Sequence, residues 1–403
     1  MRATIVIPSY WGRSSKELLD LEDAVYDHPT PLDYDGTLGR SLASIEVLEN
    51  HDFNVVVLAC ATNSEIAADV EEKVRKIAEP FRDSYPVAVV SHSFESRIRE
   101  RLAQSAVDMP SDLVSLTGYS NIRNMCLISA ELARSEVAVL FDDDQVYEDP
   151  AYLDKVFETI GTEYEGSFVG AVAGYYLGQE GHYLLPPPED WWMTEWPMVR
   201  LMNEAFVIIG EEPRLKPTPF VFGGNMLIHR RVFRKVAFDP NVRRGEDIDF
   251  LTNCKFFDID FLLDRELSIK HLPPKTHVPS WQHFRENIYR FIYAREKLRR
   301  QVPVEGLRRV EVDELDPYPG GCMRDDLEDM VFKTSVLMGL NYMQQNDSFG
   351  FTESMRNMKL ARFDAPPGHD PFRWYLDYQA RWEKLMGFLA DDETLSEDLL
   401  AGM

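Results

Sequence analysis

The stretch AVLFDDDQ sets three carboxylates, Asp142, Asp143 and Asp144, directly behind an apolar run. Adjacent carboxylates repel one another, and a divalent cation with oxygen ligands, shared with a bound diphosphate, relieves that repulsion. On an extended segment alternate side chains face the same way, which predicts that Asp142 and Asp144 converge on one ligand. The blander use of such a run is to cap a helix start; the apolar strand in front favours the metal–diphosphate reading. A second acidic group, GEDIDF, places Glu246, Asp247 and Asp249 behind Gly245, ahead of a helix with Ile248, Phe250 and Leu251 on its apolar face. The helix dipole alone favours acidic side chains there. His271 ends the strand-like ELSIKH, with His277 and His283 close behind, and an imidazole nitrogen suits Mn2+-type ions.

Trp191, Trp192 and Trp196, with Tyr175, Tyr176 and Tyr183, fall in a Gly-, Pro- and aromatic-rich stretch over 171–222. Such loops often line binding sites, where stacking on a sugar face competes with plain packing as their use. Arg230 and Arg231, beside His229, read first as a solvated helix start and second as a grip for an acceptor's phosphate or carboxylate.

These groups need a scaffold. Up to about residue 170, short β-branched runs at 3–8, 54–59, 86–91 and 137–141 alternate with amphipathic stretches such as Leu38, Leu42, Ile45 and Leu48. That alternation predicts a mostly parallel sheet covered on both faces. Ligands then sit beyond the carboxyl ends of the strands, at 8–12, 60–63 and above all 142–145. From 281 the pattern is helical to 301, and again after the Pro–Gly punctuation at 317–321. The acidic tail over 391–398 is expected to be a solvated end.

Composition narrows the function. With 44% hydrophobic and 28% charged residues in 403, the chain is of the folded globular class. Its 68 acidic against 43 basic residues, a formal charge of -25, oppose nucleic-acid binding. Cys60, Cys126, Cys254 and Cys322 form no C-x-x-C pair, so reduced buried thiols are expected rather than a zinc knuckle or redox dithiol. The N-terminus runs straight into a strand, and no run of about 18 apolar residues occurs. A cytoplasmic protein without a transmembrane segment is expected.

In order and spacing the motifs resemble a glycosyltransferase of the GT-A fold, of the family 2-like group. The matching pieces are an opening strand ending in Pro8-Ser9-Tyr10, an L-x-R-S-L-x-S helix over 38–44, the Arg123-Asn124 pair, the D-x-D at 142–144, Gly223-Gly224-Asn225, and the Glu-Asp of GEDIDF, together covering 3–275. The resemblance implies an α/β fold: a GT-A (Rossmann-like) mixed sheet with helices on both faces, plus a mostly α-helical C-terminal extension. The implied domains are a catalytic domain over 1–280, split into a nucleotide-binding half (1–150) and an acceptor-side half (151–280), and the extension over 281–403. The implied activity is metal-dependent transfer of a sugar from a nucleoside diphosphate sugar to a hydroxyl acceptor, with Mn2+ or Mg2+. Pro8, Tyr10, Asn63, Arg123, Asp142 and Asp143 then fall to the nucleotide sugar, and Asp142, Asp144 and His271 to the metal. Glu246 and Asp247 fall to the acceptor: Asp247 as general base in an inverting enzyme, either residue as an orienting group in a retaining one.

The second strand departs from the pattern. Similar enzymes commonly end it in Asp-Asp-Gly, where this chain has Ala59-Cys60-Ala61-Thr62-Asn63. Asn63 or Thr62 is left to meet the base, and UDP and GDP stay equal. The implied partners are the donor and a small soluble or saccharide acceptor, with no nucleic acid and a homo-oligomer left open. Two alternatives stand beside this. A nucleotidyltransferase making the activated sugar would need a Gly-rich basic loop after the first strand, where PSYWGRSS offers only Gly12 and Arg13. The other is a non-catalytic nucleotide-sugar-binding protein of the same fold.

Overall fold

The structure, a computed structural model, describes residues 1–15, 24, 26, 28–188, 190–274 and 278–403. The N-terminal half supplies β1 (Ala3–Gly12), β2 (Thr30–Pro31), β3 (Phe53–Ala61), β4 (Val87–Val90), β5 (Val137–Leu140) and β6 (Gln145–Val146). A small hairpin of β7 (Glu163–Tyr164) and β8 (Ser167–Phe168) stands apart, and β9 (Ala171–Leu177), β10 (Leu215–Pro217), β11 (Met226–His229) and β12 (Leu262–His271) complete the set. The main sheet runs β10-β12-β9-β11-β5-β1-β3-β4, with β2 against β1 and β6 against β12. β5, β1, β3 and β4 are mutually parallel, while β11 runs antiparallel to both its neighbours. β12 is parallel to β9, and β10 closes that edge antiparallel.

The continuous apolar runs follow from burial on two faces. Ile5 and Ile7 of β1 and Val55 and Val57 of β3 enter one core, and Val6, Val56 and Leu58 enter the other. The first core is covered by α1 (Leu38–Ile45), α2 (Ala67–Ala78) and, beyond α3 (His92–Ala103) and α4 (Tyr119–Leu132), α5 (Tyr152–Thr159). Leu42, Val74 and Val156 are their inward residues. The second is covered by α3 and α4, through Ile98, Ile122 and Met125. Each such side chain contributes about 1.5–3 kcal/mol by leaving water, which holds the carboxyl edge of the sheet rigid under the site.

The remaining helices are α6 (Met198–Phe206), α7 (Arg230–Phe233), α8 (Glu246–Phe256) and α9 (Ser280–Arg299), then α10 (Leu327–Gln344), α11 (Ser348–Phe363), α12 (Pro371–Asp391) and α13 (Glu393–Leu400). The mixed sheet, its two helical layers and the helical C-terminal third are the architecture expected from the sequence. The extension continues the second core rather than hanging beside it. In α12, Trp382 donates to the Phe233 carbonyl at 2.8 Å and Tyr375 to that of Ala237 at 3.0 Å.

The acidic tail is a correction. Residues 391–398 are not a solvated end: Leu395 and Leu399 of α13 are buried, and Asp392 is buried too, capping the Leu395 N–H and pairing with Arg101 at 2.7 Å. One apolar pair at i, i+4 and one N-cap suffice to dock the helix, and the charge count concealed both. All four cysteines are free and buried, as expected. Among the described residues no helix is long and apolar enough to cross a membrane.

His229 caps α7, its Nδ1 accepting from the Arg231 N–H at 3.1 Å. Arg230 donates to the Ser135 carbonyl at 2.9 Å and Arg231 lies over the Phe168 ring, so this basic pair serves the fold. Burial first, then the charges of Arg231 and Arg230, lower the His229 pKa from its ordinary 6.5. The unfolded chain therefore takes up the proton more readily. Stability from this group is fully present above pH 6.5 and is lost as pH falls through the folded-state value. In His229→Asn, which keeps a capping acceptor, urea melts just below pH 6.5 should show a flatter pH dependence than wild type; an unchanged slope would refute the assignment.

Candidate active site

A cleft of about 660 Å3 opens at the carboxyl end of β5. Phe141 is still held to the sheet by its N–H to the Val6 carbonyl at 3.1 Å, and the chain then turns at once, with the Gln145 N–H on the Asp142 carbonyl at 3.2 Å. The extended geometry expected over 142–144 is thus replaced by a turn. The three carboxylates fan out to different partners instead of alternating about a strand.

Asp142 faces Arg123, Oδ1 lying 2.8 Å from Nη1. Asp143 accepts from the Ser9 hydroxyl at 2.6 Å, and Ser9 in turn accepts from the Trp11 indole at 2.9 Å. Burial pushes the Asp143 carboxyl up to about 7, against the Ser9 hydrogen bond and with the charges of Asp144 and Asp142 adding to the rise. Asp144 Oδ2 meets His271 Nε2 at 3.2 Å. Backbone pairing explains how residues so distant in sequence meet: β6 sets Gln145 opposite His271, and the Leu272 N–H reaches the Asp144 carbonyl at 2.9 Å. Burial disfavours the charged imidazole of His271, but the Asp144 hydrogen bond and the charges of Asp144 and Asp142 outweigh it, and its pKa is raised. Tyr176 covers the ring at 4.8 Å between centroids.

The Gly223-Gly224-Asn225 loop enters β11 through this crowded corner. A Cβ on Gly224 would lie 2.5 Å from Asp142 Oδ2, and one on Gly223 would lie 2.9 Å from Arg123 Nη2. Only glycine lets the backbone through, and it uses its amides there. The Gly224 N–H donates to the Tyr176 hydroxyl at 2.6 Å and the Gly223 N–H to Asp247 Oδ2 at 3.1 Å. Gly245 then starts α8 at φ +74°. Glu246 accepts from Arg123 Nε at 3.2 Å, so one buried guanidinium joins Asp142 on β5's side to Glu246 on α8. The Ile248 N–H reaches Asp247 Oδ1 at 2.8 Å. Burial raises the pKa of both Glu246 and Asp247, while Arg123 favours the ionised form of each.

The cleft thus gathers Tyr10, Arg123, Asp142, Asp143, Asp144, Glu246, Asp247 and His271. Two expected residues lie outside it. Pro8 is internal to β1, opposite Leu58, and Asn63 caps a short turn by accepting the Glu65 N–H at 3.0 Å. Tyr10 meets Tyr119 edge-to-face at 5.4 Å between centroids, and both line the cleft, as does His28. Of the aromatic group, Trp192 and Trp196 line the far wall; Trp191 is exposed and donates to Asn341, and Tyr183 packs on Tyr175. His283 contacts Arg244 at 2.9 Å, and His277 lies outside the described residues. Tyr119 and Arg290 were not singled out by the sequence reading; neither carries a local motif, and both reach the cleft only through the packing of α4 and α9.

Among the described residues no group of three or more His, Cys, Asp or Glu side chains is already gathered for a metal. The Asp144–His271 pair nonetheless fits one. Asp144 Oδ1 is buried without a hydrogen-bond partner, and hard divalent ions accept one or two protein ligands when phosphate oxygens and waters fill the shell. Asp142 is engaged by Arg123 instead.

β11, antiparallel between β9 and β5, delivers the glycine loop beside the aspartate turn, on a sheet whose other half is parallel. The fold is of the GT-A type. No family model and no curated protein sequence matches the chain. Among solved structures, this GT-A chain is similar to a mannosyltransferase from Pyrobaculum calidifontis in complex with GDP-Man and Mn2+, at 13% identity and TM-score 0.46, covering 96% of this chain and 86% of that one. A mycobacterial protein aligns at 12% identity and TM-score 0.38 over 72% of both chains. GalNAc-T7 with UDP, GalNAc and Mn2+ aligns at 12% identity and TM-score 0.39, over 91% of this chain and 58% of its own.

Proposed function

We propose that the protein is a metal-dependent glycosyltransferase that moves a sugar from a nucleoside diphosphate sugar to a hydroxyl acceptor. One observation carries the reading. A single cleft holds the Asp144–His271 pair, with its unpartnered buried oxygen, and the Asp247 carboxylate at the start of α8, with Arg123 tied to both sides through Asp142 and Glu246.

Asp144 and His271 would hold Mn2+ or Mg2+. Bound there, the cation would supply Lewis-acid neutralisation of charge on the leaving nucleoside diphosphate. Tyr10 and Tyr119 would offer aromatic surface to the nucleotide, and Asp142 and Asp143 would meet the nucleotide sugar. Asp247 takes the acceptor proton. Burial raises its pKa, which makes it a stronger base, and the Gly223 and Ile248 amides fix the carboxylate's direction. Glu246, pinned by Arg123, orients the acceptor. A nucleotidyltransferase is disfavoured: Arg13, the basic side chain that directly follows β1, pairs with Glu65 at 2.8 Å.

The test is a thermal-shift series with UDP, GDP, ADP, CDP and TDP, each with and without Mn2+. A ligand at 100 times its dissociation constant adds about 2.7 kcal/mol to the folded state, so one nucleotide should raise the melting temperature only when metal is present. No shift with any pair would sink the reading. With the productive donor, Asp247→Asn should lower turnover about 100-fold while leaving the nucleotide shift intact; full activity in this variant would remove Asp247 from the role of base.

A further inference from the structure

Arg290, on α9, brings its guanidinium into the wall of the cleft. Its surroundings are unusual for a chain with so large an excess of acid. Nη2 donates to the Tyr318 hydroxyl at 2.8 Å and touches Met198 Sδ at 3.3 Å, while Nε is buried without a hydrogen-bond partner. Among the described residues no Asp or Glu oxygen lies within 4.0 Å of it. Of the other arginines of the cleft, Arg123 is paired with Asp142 and Glu246, and Arg244 meets His283 at 2.9 Å.

Arg290 also lies at a telling place. A Cβ on Gly245 would come within 2.9 Å of Arg290 Cδ and Nη1, so the side chain is laid against the turn that begins α8. Its charge is felt at Asp247, two residues on. Met198, Trp196, Phe284 and Tyr318 line the cleft around it. The guanidinium is half-buried, lies over the Phe291 ring at 4.4 Å and keeps its Nε unpartnered, and its planar fork of donors matches a carboxylate or a phosphate.

We propose that Arg290 binds the anionic group of the acceptor, which is a small hydroxy acid or a phosphorylated alcohol whose hydroxyl lies at Asp247. This deepens the glycosyltransferase reading and rests on it. In the transfer, the acceptor oxygen forms a bond to the anomeric carbon and its proton passes to Asp247. The bond from that carbon to the diphosphate oxygen breaks, and the nucleoside diphosphate leaves with the electron pair. Arg290 contributes no bond to this exchange. It offsets the repulsion between the acceptor's charge and the Asp247 carboxylate, and fixes the distance between the anion and the reacting hydroxyl.

The experiment compares acceptors matched except for charge: lactate with propane-1,2-diol, glycerate with glycerol, and a hexose phosphate with the free hexose. The donor is the nucleotide sugar whose diphosphate gives the metal-dependent shift, and release of that diphosphate is the readout. The charged member of at least one pair should be preferred, and whether a carboxylate or a phosphate is preferred identifies the source of the anion. Arg290→Gln should raise the KM for that acceptor about 10- to 100-fold, as expected for losing a charge-assisted hydrogen bond. Arg290→Lys should recover part of the loss, and the donor KM and nucleotide-Mn2+ affinity of both variants should match wild type, which also certifies their folding. Equal use of charged and neutral partners overturns the assignment and leaves the donor site standing. A rise in donor KM in Arg290→Gln overturns it in favour of a diphosphate-binding role. Absence of any nucleotide shift in wild type overturns the donor reading itself, and the acceptor assignment with it.

Discussion

Asp144→Ala is expected to abolish metal-dependent nucleotide binding and to lower transfer by about 1000-fold or more, the equivalent of about 4 kcal/mol of lost charge stabilisation at the diphosphate. Asp144 supplies the only carboxylate oxygen of the aspartate turn that is both buried and free of a protein partner, apart from the oxygens Arg123 engages on Asp142. The same substitution should leave the metal-free protein as stable as wild type or more so. Asp144 adds to the repulsion that lifts Asp143, and relief of that repulsion offsets the lost contact with His271. The diagnostic is therefore a pair of melts. In EDTA the variant's melting temperature should be equal to or above that of wild type, and the increment produced by Mn2+ with the cognate nucleotide should vanish. Retention of that increment would move the metal away from Asp144. A large loss of stability in EDTA would show that the residue serves the fold instead.

Lys297→Met should produce the largest loss of stability. Lys297 Nζ lies 2.7 Å from Asp239 Oδ2 and 2.7 Å from Asp249 Oδ1, and all three side chains are buried. Tyr293 donates to Asp239 at 2.9 Å, and Asn253 accepts from Lys297 at 3.2 Å. Removing the cation strands two carboxylates in the interior at a cost of about 3–5 kcal/mol. Because Asp249 stands two residues after Asp247 on α8, and Lys297 comes from α9, the cluster fastens the acidic end of α8 to the helical extension. Activity should fall further than the folded fraction measured by urea melts. Adding Asp239→Asn and Asp249→Asn to Lys297→Met should recover much of the stability, since the stranded charges leave with the cation. An unchanged melting temperature in the single variant would show the cluster to be dispensable.

The parts of this molecule that could be read from the sequence are those in which one segment alone carries the signal. The run over 137–141 is apolar throughout because its strand is covered on both faces, and its acidic end marks the ligand edge of the sheet. The helical spacing from 281 gave α9 to within a residue or two at each end. The alternation rule failed over 142–144, since a strand's periodicity stops where its ladder stops, and the Gln145 N–H closes a turn there. Pairings between distant segments left no local mark. Asp144 meets His271 because β6 runs antiparallel to the end of β12. Arg290 looks like any polar-face residue of a helix until α9 is laid against Gly245. The docking of α13 was hidden for the same reason: an acidic composition describes the solvent side of a helix and is silent on the two leucines beneath.

The two walls of the cleft are built of different materials. The carboxylates and His271 are fixed to strand ends and backbone amides, whereas the opposite wall is supplied by Trp192, Met193, Trp196, Met198, Met202 and Phe284, from helices and turns outside the sheet. Thioether chains change shape at little cost and accept neighbours of varied outline. Single substitutions among these thioethers and rings are therefore expected to reshape the cleft without moving the carboxylates.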